Sequence, residues 1–196
     1  MYQMVHASVK GRDQLLRAAM AYVSANGLTN ISLRELAAAI GTSHRMLIYH
    51  FGSKEGLLVA IVQAVEEATR GLFAEFAADP EMSPIDAARA FWQRLADPAL
   101  WPNERLFFEL YGQALQGRPG TEAFLDGIVD SWVEPMTAYQ VRQGVSEAEA
   151  RADARLGVAV TRGLLLDLLA TGNRTAVDAA FERYLRLYQA GREAGS

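Results

Sequence analysis

The spacing of apolar residues is the feature that most constrains the fold of this chain. Over almost all of its 196 residues, apolar side chains recur every three or four positions, the period of an amphipathic helix. Leu15, Ala19 and Val23 follow this spacing near the N-terminus. No segment alternates convincingly between apolar and polar residues, as a half-buried strand would. The sequence therefore predicts an all-α fold.

Breaks rich in glycine, proline and polar residues divide the chain into about nine helices. The first helix is predicted over about residues 11–26, and Gly27 is suited to the left-handed turn that stops it. The last two helices are predicted near 148–171 and 175–190. The breaks that separate the later helices lie at 78–84, 97–103, 116–121, 143–147 and 171–173.

Residues 32–54 have the pattern of a helix-turn-helix. Ser32 opens the capping box SLRE, Gly41 breaks the helix that follows, and Ser43 can cap a short helix to about Tyr49. A long helix is then predicted from Lys54, after the break at Gly52-Ser53. Taken alone, this pattern has two readings, a DNA-binding motif or simply two packed helices.

The short helix has two different faces. On a helical wheel of about 100° per residue, one arc of roughly 140° carries His44, Arg45, Ile48 and Tyr49. The other side carries Ser43, Met46, Leu47 and His50, and is predicted to pack on the first two helices. Arginine can bind guanine bidentately in the major groove and isoleucine can contact a thymine methyl. Lys54 lies at a helix N-terminus, which favours an anion such as phosphate.

Charge is distributed unevenly along the chain. The net charge is −4. Residues 1–60 contain six basic and three acidic side chains, a net charge of +3, so the remainder carries −7. A small basic head on an acidic body indicates a polyanionic partner for the head. Double-stranded DNA and an acidic partner protein both satisfy this description.

The composition excludes several classes of chemistry. The chain has no Cys, which rules out disulfides, thiolate zinc sites and cysteine nucleophiles. It has only three His, and no phosphate-binding loop, nucleophile elbow or zinc-protease motif. The sequence therefore predicts no enzyme activity, cofactor or metal site. The N-terminus lacks a signal-peptide core, and the apolar run 156–171 is too short and too polar for a bilayer span, so a cytoplasmic protein without membrane contact is expected.

Residues 11–60 resemble the DNA-binding head of the TetR family of bacterial transcription regulators. The matching features are an Ala-rich first helix ending in ANG, the segment ISLRELAAAIGTS and the segment LIYHFGSKEGLL. The resemblance implies a three-helix DNA-binding head, residues 1–53, on a larger helical bundle, residues 54–196, that binds an effector and dimerises. It further implies a ligand-responsive homodimeric repressor acting on a palindromic double-stranded operator.

The resemblance also assigns candidate DNA contacts. The third helix of the family enters the major groove, and the lysine after its turn contacts phosphate. The corresponding residues here are Ser32 and Arg34 near the backbone, Thr42, Ser43, His44, Arg45, Ile48 and Tyr49 in or beside the groove, and Lys54 at a phosphate. The chain departs from the family pattern at Arg45, where a small residue is frequent, and at Ile48 and Tyr49. Base preference therefore cannot be copied from a relative.

The body offers candidates for a dimer interface and an effector site. Gly157 and Gly163 in the predicted penultimate helix would let another helix approach closely. The last helix carries Val177, Phe181, Tyr184, Leu185 and Tyr188 at helical spacing, which suits either a four-helix dimer interface or an internal core. For a largely apolar effector, the candidates are Trp92, Tyr111 and Arg162, with Arg105 or Glu109 as other polar anchors. Most aromatic residues of 91–139 are expected to be ordinary core.

Overall fold

The computed structural model describes residues 2–26, 32–79 and 81–194. Within these ranges the chain forms nine α-helices and no strand, which confirms the predicted all-α class. Short 3₁₀ turns lie at Pro98–Leu100 and Glu122–Phe124. The helices are α1 (Tyr2–Asn26), α2 (Leu33–Ala39), α3 (His44–Phe51), α4 (Lys54–Ala78), α5 (Pro84–Leu95), α6 (Trp101–Leu115), α7 (Asp130–Arg142), α8 (Glu147–Thr171) and α9 (Arg174–Ala194).

Three helix ends differ from the prediction. Helix α1 begins at Tyr2, well before the predicted start near Gly11, α3 continues two residues beyond Tyr49 to Phe51, and α9 continues four residues beyond the predicted end at 190 to Ala194. Apolar spacing alone did not mark these ends. The predicted stop at Gly27 lies outside the described residues.

Local capping forms the helix-turn-helix. The Ser32 hydroxyl accepts a hydrogen bond from the Glu35 amide at 3.2 Å, and the Glu35 carboxylate accepts one from the Ser32 amide at 2.8 Å. This is the predicted capping box at the start of α2. At the start of α3, the Ser43 hydroxyl accepts from the Met46 amide at 3.2 Å. Gly41 between the two helices has a φ of +70°, a conformation that favours glycine.

The helices group into two compact units. The first unit comprises Met1–Ala68 and Pro102–Asp126, and the second comprises Thr69–Trp101 and Gly127–Ser196. The first unit contains residues on both sides of the predicted boundary between residues 53 and 54. That boundary concerns function, and it stays a prediction.

In the first unit, apolar side chains from α1 to α4 are buried, as are several from α6. They include Val23, Leu36, Leu47, Leu57, Leu106 and Leu110. The spacing that predicted helices therefore also identified most of the side chains that hold the head together.

In the second unit, α8 packs between α7 and α9. A β-carbon at Gly157 of α8 would lie 3.2 Å from the Tyr184 hydroxyl of α9 and 3.4 Å from the terminal methyl of Met136 in α7. Gly157 thus permits a close approach within the chain. A β-carbon at Gly163 would meet nothing within 4 Å. Of the two glycines predicted to admit another helix, Gly163 alone faces open space.

The apolar stripe of α9 is largely internal. Val177, Phe181 and Leu185 are buried within the single chain, so for them the internal-core alternative is correct. Phe181 stacks on Trp92 of α5, with ring centroids 4.8 Å apart and planes inclined by 16°.

All three tryptophans of the chain belong to the second unit. Trp92 and Trp132 are buried, and the indole N–H of Trp101 donates to the Ala96 carbonyl at 3.4 Å.

Among the described residues, no helix is both long enough and apolar enough to cross a membrane.

Candidate nucleic-acid interface

Helix α3 is amphipathic in a way that leaves Arg45 at the centre of its exposed face. Leu47 is fully buried, whereas the neighbouring Ile48 and Tyr49 are 37% and 71% exposed. On a wheel of about 100° per residue, Arg45 lies roughly 160° from Leu47. Arg45 is exposed, with Ile48 on one side of it and Tyr49 on the other. This face presents a guanidinium fork between an aliphatic and an aromatic side chain.

The exposed arc of α3 is wider than predicted. His44 is exposed at one edge. Met46, which the wheel assigned to the packing side, is 41% exposed at the other edge. An eight-residue helix packs through only a few positions, and here those positions are Leu47, His50 and Phe51.

The packing side of α3 is held against α1. His50 is half-buried, and its Nε2 would lie 3.8 Å from a β-carbon placed at Gly11. The Arg12 guanidinium lies over the ring of Phe51, 5.2 Å from its centroid. Tyr49 meets His50 edge-to-face at 4.9 Å. These contacts fix the orientation of α3, so that the exposed side chains are presented from a supported helix.

A second group of predicted residues lies at the start of α2. Ser32 and Arg34 are exposed there. The Ser32 amide and, next, its hydroxyl hold the pKa of the Glu35 carboxyl below its ordinary value, and the positive charge of Lys54 adds to this effect. Ser32, Arg34 and Lys54 all belong to the first unit.

The turn between α2 and α3 places Thr42 and Ser43. The Thr42 amide donates to the Ala37 carbonyl at 2.9 Å, and the Thr42 side chain is half-buried. Ser43 is exposed, but its hydroxyl is engaged in capping α3. Its capping role is therefore observed, and a DNA contact by Ser43 stays a prediction.

The junction between α3 and α4 is tightly built. Gly52 has a φ of +77°, and the Ser53 hydroxyl accepts a hydrogen bond from the Gly56 amide at 2.9 Å. A β-carbon at Gly56 would lie 2.2 Å from the Phe51 carbonyl oxygen, closer than any real contact. The end of α3 and the first turn of α4, including Lys54, thus form one closely packed segment.

The candidate effector residues lie in different surroundings. Trp92 is buried, and its indole N–H donates to the Asp178 carboxylate at 2.6 Å. The Arg162 guanidinium donates to the Ile128 carbonyl at 2.7 Å. Both belong to the second unit, whereas Tyr111 is half-buried against Phe107 and Phe124 in the first. Trp92 has its polar group engaged within the protein.

Sequence reasoning missed two contributors to this region. One is Met46, described above. The other is the segment 116–121, which the sequence marked only as a break, although Arg118 and Gly120 contact the start of α4. Gly117, Pro119 and Gly120 of QGRPGT signal a turn, but they do not indicate what the turn contacts.

Comparison with known proteins identifies this helical head. Residues 15–61 match the family profile described as "Bacterial regulatory proteins, tetR family". The chain is 27% identical over 84 residues to the HTH-type transcriptional repressor NicS of Pseudomonas putida. That match covers 41% of this chain and 40% of the repressor, so less than half of the relative is matched.

The fold resemblance is much longer than the sequence match. A transcriptional regulator from Rhodococcus sp. Rha1 superposes with a TM-score of 0.71 at 19% identity, covering 92% of this chain and 96% of that one. The multidrug binding protein EbrR superposes with a TM-score of 0.62 at 22% identity, covering 88% of each chain. The head, residues 15–61, therefore matches the tetR family of bacterial regulatory proteins by sequence, and the chain shares its fold with solved transcriptional regulators.

Proposed function

We propose that this protein is a homodimeric, sequence-specific repressor that binds a palindromic operator and is released by a small-molecule effector. The observation that carries the DNA-binding part is the exposed face of α3, with Arg45 opposite the buried Leu47. Arg45 would bind a guanine bidentately, and Ile48 would contact a thymine methyl. His44 and Tyr49 would reach neighbouring bases or phosphates.

Phosphate contacts would come from the residues that flank α3. Lys54 stands at the N-terminus of α4, where the helix dipole favours an anion. Ser32 and Arg34 at the start of α2, and Thr42 and Ser43 in the turn, complete the proposed surface. Such contacts fix register on the duplex, whereas Arg45 and Ile48 would read sequence.

Support for the dimer comes from a surface on the last two helices. Both α8 and α9 expose residues at alternating steps of four and three, the spacing of a coiled-coil seam, and all of these residues except Arg183 are small or apolar. The dimer surface consists of Ala152, Leu156, Ala159, Gly163, Leu166 and Ala170 in α8, with Ala176, Ala180, Arg183, Leu187 and Ala190 in α9. Leu156, Leu166 and Leu187 are each more than half exposed. Two copies would bury these surfaces in a four-helix interface.

The effector and the sign of regulation rest on relatives. EbrR, named a multidrug binding protein, has been solved with imidazole, and NicS is named a transcriptional repressor. For this chain, the proposed effector contacts are Trp92 and Arg162 in the second unit or, separately, Tyr111 in the first. Because the Trp92 indole N–H already donates to the Asp178 carboxylate, Trp92 would contact an effector only through its aromatic ring. An effector would release DNA only through a higher affinity for the state that does not bind it.

The test is selection of random duplexes by the full-length protein, followed by sequencing of the retained pool. A palindrome with a guanine in each half-site is expected. Binding should fall steeply with salt, because each phosphate contact releases counterions. If no sequence is enriched at low salt, and an acidic protein competes as well as unrelated DNA, the head would instead be a protein-interaction surface.

A further inference from the structure

The turn that follows α6 is packed against the segment that carries the proposed phosphate contact. Gly117 and Gly120 both have positive φ, +68° and +87°. The buried Thr121 hydroxyl donates a hydrogen bond to the Arg118 carbonyl at 2.6 Å. The Gly120 amide donates to the Glu122 carboxylate at 2.8 Å. These bonds give the turn, residues 116–121, a fixed shape.

Gly120 contacts the first turn of α4 at short range. A β-carbon there would lie 3.1 Å from the Ser53 hydroxyl and 3.2 Å from the Glu55 β-carbon. The two groups would therefore have to shift by a few tenths of an ångström to admit even a methyl. Gly117, in the same turn, has nothing within 4 Å of its β-carbon position. Only one of the two glycines is therefore tied to α4.

Ser53 connects this contact to α3. Its hydroxyl caps α4 through the Gly56 amide, and Gly56 is packed against the Phe51 carbonyl with no room for a side chain. Displacing Ser53 would therefore disturb both the last residue of α3 and the first turn of α4. Lys54 lies between these two points.

An ion pair makes a second link. The Arg118 guanidinium lies 3.4 Å from a Glu55 carboxylate oxygen. Glu55 directly follows Lys54, so its negative charge stands beside the proposed phosphate site. Arg118 neutralises a charge that would otherwise repel the DNA backbone.

We propose that the turn 116–121 positions the α3–α4 junction for DNA binding, through Gly120 on Ser53 and Arg118 on Glu55. The inference rests on the proposed function, since it assumes that Lys54 contacts phosphate. It assigns to residues far along the chain a role in setting the affinity of the head for any duplex. Arg118 and Gly120 are positioning residues and do not read bases.

The first experiment compares Gly120→Ala with Gly117→Ala. Both variants place a β-carbon on a positive-φ residue of the same turn, so both carry that backbone strain. Only Gly120→Ala also collides with Ser53 and Glu55. We expect Gly120→Ala to weaken selected and unrelated duplexes alike by roughly tenfold, to flatten the salt dependence and to keep the base preference. Equal affinities and salt slopes for the two variants, both folded by circular dichroism, would overturn the proposal.

The second experiment leaves the backbone unchanged. Arg118→Gln should weaken binding to all duplexes, and Glu55→Gln added to it should restore the lost affinity, since the carboxylate that lost its arginine partner is then gone. Weakening without restoration would mean that Arg118 itself contacts DNA, and no weakening would remove the ion pair from the proposal. Wild-type protein that bound no duplex would refute the proposed function instead, so the two failures are distinguishable.

Discussion

Truncation of Arg45 tests the proposed base readout most directly. Arg45→Ala removes the guanidinium fork at the centre of the exposed α3 face and leaves the buried contacts of Leu47 intact. A bidentate arginine–guanine pair contributes about 1–3 kcal/mol of discrimination against the wrong base. A two-fold dimer places one Arg45 in each half-site, so a symmetric operator should lose about 2–6 kcal/mol of discrimination. The lower limit corresponds to roughly 30-fold in relative affinity.

The assay is competition binding against operators in which the enriched guanine of both half-sites is replaced. Wild-type protein should reject the replaced operator, whereas Arg45→Ala should bind both operators about equally. Because Arg45 is exposed, its truncation should change the free energy of unfolding by less than about 0.5 kcal/mol. A loss of binding can therefore be separated from a loss of fold.

Arg45→Lys is the matched control. Lysine keeps the positive charge and the attraction to phosphate, but it lacks the planar fork that pairs with guanine O6 and N7. Its binding to unrelated duplexes should stay near wild type while discrimination falls. If Arg45→Ala kept the wild-type order of operator affinities, Arg45 would not read bases, and the orientation argued from Leu47 would be wrong for the complex.

Three further predictions concern Lys54, the dimer surface and Tyr184. Lys54→Ala should weaken binding to all duplexes about equally. It should also lower the magnitude of the slope of log affinity against log salt by about 2 for a dimer, since each half-site loses one phosphate contact. An altered base preference with an unchanged slope would exclude the phosphate role. Leu166→Glu should give monomers in sedimentation velocity at micromolar concentration. The control variant Leu115→Glu, which changes an exposed leucine outside the dimer surface, should stay dimeric. Equal behaviour of the two variants would place the interface elsewhere. Burial raises the pKa of Tyr184 from 10.0 to about 12, so its contribution to the free energy of unfolding is complete below pH 10 and declines as the pH rises toward 12, because the unfolded chain ionises first. Tyr184→Phe should therefore lose less stability than wild type between pH 9 and pH 11 in chemical unfolding, and parallel curves would contradict this.

The helix-turn-helix was predictable because its signals are local. The Ser32 capping box and the Ser43 cap each join groups three residues apart, and Gly41 marks a backbone conformation that other residues avoid. Such signals specify helix ends without reference to the rest of the chain. Once the apolar Leu47 is assigned to the packing side, helical geometry places Arg45 on the opposite, exposed side.

What the sequence did not provide depends on contacts between distant residues. Gly120 meets Ser53 across more than sixty positions, and a turn motif does not specify its neighbour. The same limit applies to Gly157 and Gly163, which look alike in sequence although one is packed against α7 and α9 and the other faces open space. Met46 is exposed because the eight-residue helix α3 packs through only a few of its positions. The apolar spacing of α3 does not show which positions these are.

The confinement of all three tryptophans to the second unit has a spectroscopic consequence. Emission excited at the indole band reports on the surroundings of Trp92, Trp101 and Trp132, and none of these belongs to the unit that contains α3. A titration followed by this emission would record events near α5, near α7 and at Trp101, the first residue of α6, whereas docking of α3 on a duplex need not change the signal. Because the chain has no Cys, a single cysteine introduced in the first unit would carry a unique fluorescent label. The tryptophan emission would then report on the second unit, and the emission of the label would report on the first.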